Sequence, residues 1–137
     1  MDDQLNSFLI SLSEFLVFFV VAVGLTVVFT LAYTRVTRHN EFALIKEKSI
    51  AAAVAFAGSV LGFALPLASA MTQSVTVVEM LLWGLVALIV QLLVYQLIRL
   101  PMPRISERIE TNEVAAGIWL GTCSLVAGIL SAASMTT

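Results

Sequence analysis

The sequence predicts an all-α membrane protein, four transmembrane helices built from two parallel two-helix repeats, and three observations carry that expectation. Of 137 residues, 60% are hydrophobic and only 12% charged, where a soluble domain carries about 25% charged residues. The apolar residues gather into four runs long enough to cross hydrocarbon. The second half of the chain echoes the first at a spacing of about 64 residues. A mean hydropathy of +1.02 agrees with the first observation.

The four runs cover about 15–33, 50–71, 77–98 and 114–133, the first with an earlier start left open by Phe8-Leu9-Ile10 ahead of it. At 1.5 Å per residue each is close to the roughly 20 residues that span a bilayer. Runs such as Phe15-Leu16-Val17-Phe18-Phe19 do not alternate apolar with polar, so they read as helices rather than barrel strands. The opening Met1-Asp2-Asp3-Gln4 lacks the basic region of a signal peptide, and the first run is expected to stay as a membrane helix. Pro101 and Pro103 end the third helix. Ser49 is the expected N-cap of the second helix and Asn112 that of the fourth, with Glu113 at the positive end of the dipole.

Orientation follows from charge. Arg35, Arg38, Lys46 and Lys48 lie in one loop, 34–49, and Arg99, Arg104 and Arg108 in another, 99–113. The short link at Thr72-Gln73-Ser74 and both tails have no Lys or Arg. The positive-inside rule puts both loops in the cytoplasm and both termini outside. Phe42 with Ile45, and Ile105 with Ile109, give these loops helical spacing. They read either as interfacial helices against anionic headgroups or as docking surface for a soluble cytoplasmic partner. With a net charge of −2 and no basic tract, nucleic acid is not an expected partner.

The repeat pairs 45–72 with 109–136 without a gap. Ala51-Ala52 faces Ala115-Ala116, Leu61 faces Leu125, Ala68 faces Ala132, and Met71-Thr72 faces Met135-Thr136. One residue of slippage sets Glu14 opposite Glu79. Two helices per unit give both halves the same orientation, with units of about 8–72 and 75–137. The first and third helices are bulky, with Phe15, Phe18, Phe19, Phe29, Leu81, Leu82, Trp83, Leu92 and Leu93 expected to face lipid. The second carries Ala51, Ala55, Gly58, Gly62 and Ser69 at helical spacing, and the fourth Gly117, Gly121, Ser124 and Gly128. Small residues let backbones approach, so these two helices are expected to pack on each other or on a second protomer.

Several of these segments resemble a known family. Ala51-Ala52-Ala53 opening a helix, Gly58-x-x-x-Gly62 and Leu65-Pro66-Leu67 look like its first signature. Trp83-Gly84 with Gln91-Leu92-Leu93 is similar to its third segment, and 128–136 to its close. The family is the YjfL-type bacterial inner-membrane proteins, domain-of-unknown-function family 350, and the resemblance covers nearly the whole chain. It implies a bacterial plasma membrane, no established enzymatic activity, and genomic company with stress-response and ATP-grasp ligase proteins. Its members often carry an acid–Asn or Gly–Asn pair before each Ala-rich helix; here Lys48-Ser49 replaces the first pair, while Asn112 stands near the second.

Candidate chemistry is sparse. Glu14 and Glu79 read as a proton or cation site if buried, or as hydrated headgroup-level residues that favour helix N-termini. Gln91 and Tyr95, with Thr26 and Thr30 at matching places in the first helix, are intramembrane polar residues suited to interhelical hydrogen bonds or to a substrate path. Pro66, one turn after Gly62, is expected to kink the second helix. His39 has no second His or Cys to complete a metal site, and Cys123 reads as a packing residue. No catalytic set, metal cluster or cofactor motif is present, so no cofactor and no enzymatic activity are expected. The sequence supports two functions: an oligomeric scaffold or stress-response component, and a small oligomeric channel or transporter lined by the small faces of the second and fourth helices.

Overall fold

The computed structural model describes residues 2–37, 40–102 and 104–135. Arg38, His39, Pro103 and Thr136, named above, lie outside the described residues. Among the described residues six helices follow in order: α1 Asp2–Val36, α2 Glu41–Lys46, α3 Ile50–Gln73, α4 Val77–Ile98, α5 Ile105–Glu110 and α6 Val114–Ser134. Four of them, α1, α3, α4 and α6, are long and apolar enough to cross a membrane.

The expected spans for α3, α4 and α6 agree with the helices to within two residues. The first does not. α1 runs 35 residues from Asp2 rather than from about residue 15, a length of about 52 Å against a hydrocarbon core near 30 Å. Asn6, Ser7, Ser11, Ser13 and Glu14 dilute the hydropathy of its first turns without breaking the helix.

α3 and α6 form the centre of the bundle. They run parallel, since Gly117 meets Ala51, Gly121 meets Gly58, and Ser69 Oγ donates to Ala132 O at 3.1 Å. Their contact is backbone on backbone. A Cβ on Gly58 would fall on the Cα of Gly121, and one on Gly121 would sit 2.6 Å from Val54 O. Pro66 is inside α3, which continues past it to Gln73. Lacking an N–H, Pro66 leaves the Gly62 carbonyl without its helical donor, and that carbonyl points at Gly128. Only a glycine fits there, with room for a Cα–H···O contact.

α1 and α4 pack outside this pair through side chains. Phe29 stacks on Phe63 with centroids 4.6 Å apart, so Phe29 is fully buried rather than lipid-facing. Phe15, Phe19, Leu81, Leu82, Trp83 and Leu93 are exposed on the outer surface of the chain.

The loops hold α2 and α5, six residues each. Ile105 and Ile109 are buried against the bundle instead of facing lipid; Phe42 is half-exposed, its ring edge against Phe56 at 5.5 Å. After each short helix comes a left-handed residue, Lys48 at φ 66° and Asn112 at φ 60°. Ser49 caps α3 by accepting from Ala52 N. Asn112 does not cap its own helix, where Glu113 holds the N-cap position without a side-chain bond. Asn112 Oδ1 instead accepts from Ala51 N at 3.0 Å and lies 3.3 Å from Ser49 Oγ, so it caps the neighbouring α3. Its left-handed backbone turns the side chain across the seam.

Candidate functional site: a buried polar column

The two ends of the bundle differ in chemistry. Arg35, Lys46, Lys48, Arg99, Arg104 and Arg108 all stand at the end where α2 and α5 fold. The opposite end carries the 74–76 link, Glu14 and Glu79. A column of buried polar side chains starts at the basic end and climbs into the bundle.

At its foot, Thr37 Oγ1 donates to Glu41 Oε1 at 2.6 Å, and both residues are buried, Glu41 completely. Asn40 caps α2 by accepting from Ala43 N, which fixes Glu41 at the first helical position pointing inward. Tyr33 lies one turn above Thr37, buried, with its ring against Tyr95 edge-on at 5.8 Å and against Phe56 at 6.1 Å. The Tyr95 hydroxyl is 3.5 Å from Ser106 Oγ, and Arg99 lies 5.9 Å over the Tyr95 ring. One turn higher Gln91 donates from Nε2 to Ser124 O at 2.8 Å, and Ser59 Oγ and Ser124 Oγ are 3.3 Å apart across the α3–α6 seam. Gln91 Oε1 has no hydrogen-bond partner among the described residues, and the Tyr33 hydroxyl has only Ser59 beside it. Such groups are costly in a membrane interior unless water reaches them.

Above Gln91 the core turns apolar, with Ala22, Leu25, Leu67, Met80 and Leu88 buried. Among the described residues the column ends at mid-bundle. Its chemistry is that of hydroxyls, a carboxylate and an amide able to hold water or pass a proton as far as Gln91. A second feature of the basic end is a cleft of about 710 Å³ between the end of α4 and α5, lined by Gln96, Arg99, Arg104, Ser106, Glu107 and Glu110. Arg104 and Glu107 stand 3.9 Å apart with both side chains largely exposed, a surface pair of the kind that contributes little to stability.

The residues singled out from sequence fall in different places. Gln91 and Tyr95 join the column. Thr26 and Thr30 do not bond between helices; each hydroxyl donates to the carbonyl four residues earlier on α1, Ala22 O and Thr26 O, at 2.9 Å. Glu79 is a capping residue: its N–H donates to Thr76 Oγ1 at 3.2 Å and its Oε2 accepts from Val75 N at 3.3 Å. Glu14 is exposed and lines a shallow cleft with Val75 and Thr76. Gly58, Gly62, Gly117, Gly121 and Gly128 are consumed by the α3–α6 contact, so their faces line no lumen within the chain. Arg108 faces Glu113 at 3.9 Å. Sequence reasoning missed Tyr33, Thr37 and Glu41, because the chain leaves the α1 helix after Val36 and brings Glu41 back under Thr37 on a separate helix.

These features define a multi-pass helical membrane protein whose buried polar column lies toward its basic end. Comparison with known proteins sharpens the class. The family model described as Domain of Unknown Function (DUF350) matches residues 5–135, and the chain belongs to that family. It is 42% identical over 126 residues to the UPF0719 inner membrane protein YjfL of Escherichia coli (strain K12), covering 92% of this chain and 96% of the relative. The protein of the same name from Escherichia coli O157:H7 matches with the same figures. No solved structure matches. Relatives and spans agree on a multi-pass inner-membrane protein.

Proposed function

We propose that the protein is a non-enzymatic inner-membrane scaffold, built of two parallel repeats, that acts as an oligomer and binds a soluble cytoplasmic protein at its basic end. Positive-inside bias orients that end to the cytoplasm and both termini outward. The repeat reading is supported by pairs at one common spacing: α2 with α5, the starts of α3 and α6, and the left-handed Lys48 and Asn112. The observation that carries the scaffold reading is the difference between the ends. One is a three-residue link with no cation; the other folds two short helices and holds, between the end of α4 and α5, a charged cleft lined by both arginine and glutamate. A role in a stress response rests on the family resemblance alone.

A photo-crosslinker placed at Glu107 in intact cells tests this. The expected result is one discrete adduct with a soluble protein, lost in an Arg104→Gln/Arg108→Gln variant and absent when the crosslinker is at Val75. Equal labelling at both positions would count against docking.

The buried column favours a second reading, a small channel or transporter for ions or a polar solute. Its path would run past Gln91 and Tyr33, because the small faces of α3 and α6 are closed on each other. Proton or ion flux in liposomes that falls in Gln91→Leu would support transport; flux equal to empty liposomes would remove it.

A further inference from the structure

We infer that the first half of α1 is a homotypic seam, on which a second copy of the chain packs its own α1 in parallel. The cleft that Ser13, Glu14, Val17 and Phe18 form with Val75–Val77 puts residues 13–18 level with the α3–α4 link. Residues 2–12 therefore continue past the bundle, by about 16 Å at 1.5 Å per residue. No residue of α1 before Ala22 is buried.

That stretch is patterned. Leu5, Phe8, Leu12, Phe15 and Phe19 recur at alternating steps of three and four, and Leu9 and Leu16 widen the stripe. All seven are exposed, from 39% at Leu12 to 60% at Phe8. Gln4, Asn6, Ser7, Ser11, Ser13 and Glu14 lie on the other faces, with Ile10 and Val17 exposed among them. This is the a/d pattern of helices that pack on helices.

The direction of the stripe matters as much as its spacing. The bundle-facing line of α1 runs Phe18, Ala22, Leu25, Phe29. At 3.6 residues per turn, the stripe centres about 110° away from that line. Above the bundle the inward side carries Ser7 and Ser11. The apolar face thus points sideways, where a neighbouring protomer in the same membrane can reach it without meeting this chain's own α3 or α4.

A helix lying flat on lipid headgroups does not fit. Interfacial helices that lie on anionic headgroups carry Lys or Arg on their polar face; this one carries Asp2, Asp3 and Glu14 and no cation before Arg35. Nor can the segment bend flat, since α1 is continuous with neither Pro nor Gly before Gly24. Seven half-exposed leucines and phenylalanines offer about 700 Å² per protomer, close to the roughly 800 Å² per partner of a stable interface. The seam supplies the oligomer assumed in the proposed function, yet it can fail while cytoplasmic docking stands.

Cysteine cross-linking in native membranes tests it. Cys123 is the only cysteine, so a Cys123→Ala background leaves a single introduced thiol. Phe8→Cys and Leu12→Cys should give disulfide-linked dimers at least tenfold more readily than Ser7→Cys and Ser11→Cys. Leu12→Glu should abolish the oligomer while the melting temperature of the bundle is kept, because the site touches no other helix of the chain. Equal yields on both faces, or an oligomer that survives Leu12→Glu, would overturn the seam. So would quenching of a label at Leu9 by headgroup-level probes in monomer-bearing vesicles. The Glu107 crosslinker reports on docking separately: an adduct there with no α1 dimer removes the seam alone.

Discussion

α3–α6 and α1 solve the same problem, holding a helix in a membrane, by opposite means. The central pair gives up side chains: Gly58, Gly62, Gly117, Gly121 and Gly128 bring two backbones into direct contact. α1 keeps its large side chains and touches the bundle only through Ala22, Leu25, Phe29, Tyr33 and their neighbours. Hydrocarbon supplies no hydrophobic force between helices, so packing must do the work. A backbone seam gains contact from every turn but tolerates no added atom; a side-chain contact gains less and forgives more. The fold is therefore rigid at its centre and permissive at its edge.

The largest test breaks that contrast directly. Gly58→Leu would drive atoms into the Gly121 backbone, which cannot yield, and should cost upwards of about 4 kcal/mol, read as loss of a folded monodisperse species in detergent. Gly24→Leu should do nothing of the kind, because a Cβ there meets nothing within 4 Å. Asn112 comes next. Asn112→Ala removes the acceptor for Ala51 N–H and puts a Cβ-bearing residue with no local hydrogen bond at φ 60°, together about 2 kcal/mol. Asn112→Gly keeps the backbone and loses only the cap, about 1 kcal/mol; equal costs for the two would show that the cap carries everything.

Smaller effects grade the edge. Gly84→Ala brings a Cβ to 2.7 Å from Leu25 Cδ1, the free end of a side chain that can rotate away, and should cost about 1 kcal/mol. Gln91→Leu loses the bond to Ser124 O but also removes the unpartnered Oε1. Membrane hydrogen bonds of this type average about 0.6 kcal/mol, so the variant should melt within about 1 kcal/mol of wild type. A larger loss would mean that water completes the Gln91 network.

Much of the contrast is legible in the sequence, because hydropathy and small-residue spacing are local. The small stripes on α3 and α6 are visible without coordinates, and so are the ends of the spans at Ser49 and Pro101. The true start of α1 is hidden because Ser7, Ser11 and Glu14 lower its hydropathy, although the step of three and four survives through them. Phe29 is misread because composition says that a helix is bulky without saying which bulky residue turns inward. The polar column is the least legible part. Tyr33 and Glu41 look like ends of a charged loop until α2 folds back, and Asn112 reads as a cap for the helix that follows it when it caps one from the other half of the chain.

That last displacement makes the smallest prediction the most specific. Lys48 stands before α3 as Asn112 stands before α6, each left-handed. Asn112 reaches across to the start of α3; Lys48, having no acceptor, cannot reach back to the start of α6, whose N-cap Glu113 makes no side-chain capping bond. Lys48→Asn should supply the missing acceptor at a backbone conformation that asparagine tolerates well. The expected gain is about 0.5–1 kcal/mol, measured as a raised melting temperature in detergent. Lys48→Gly separates the two contributions, relieving backbone strain without adding a cap, and should gain less. If glycine and asparagine stabilise equally, the two ends of the seam are not equivalent and the cap at Asn112 belongs to one half alone.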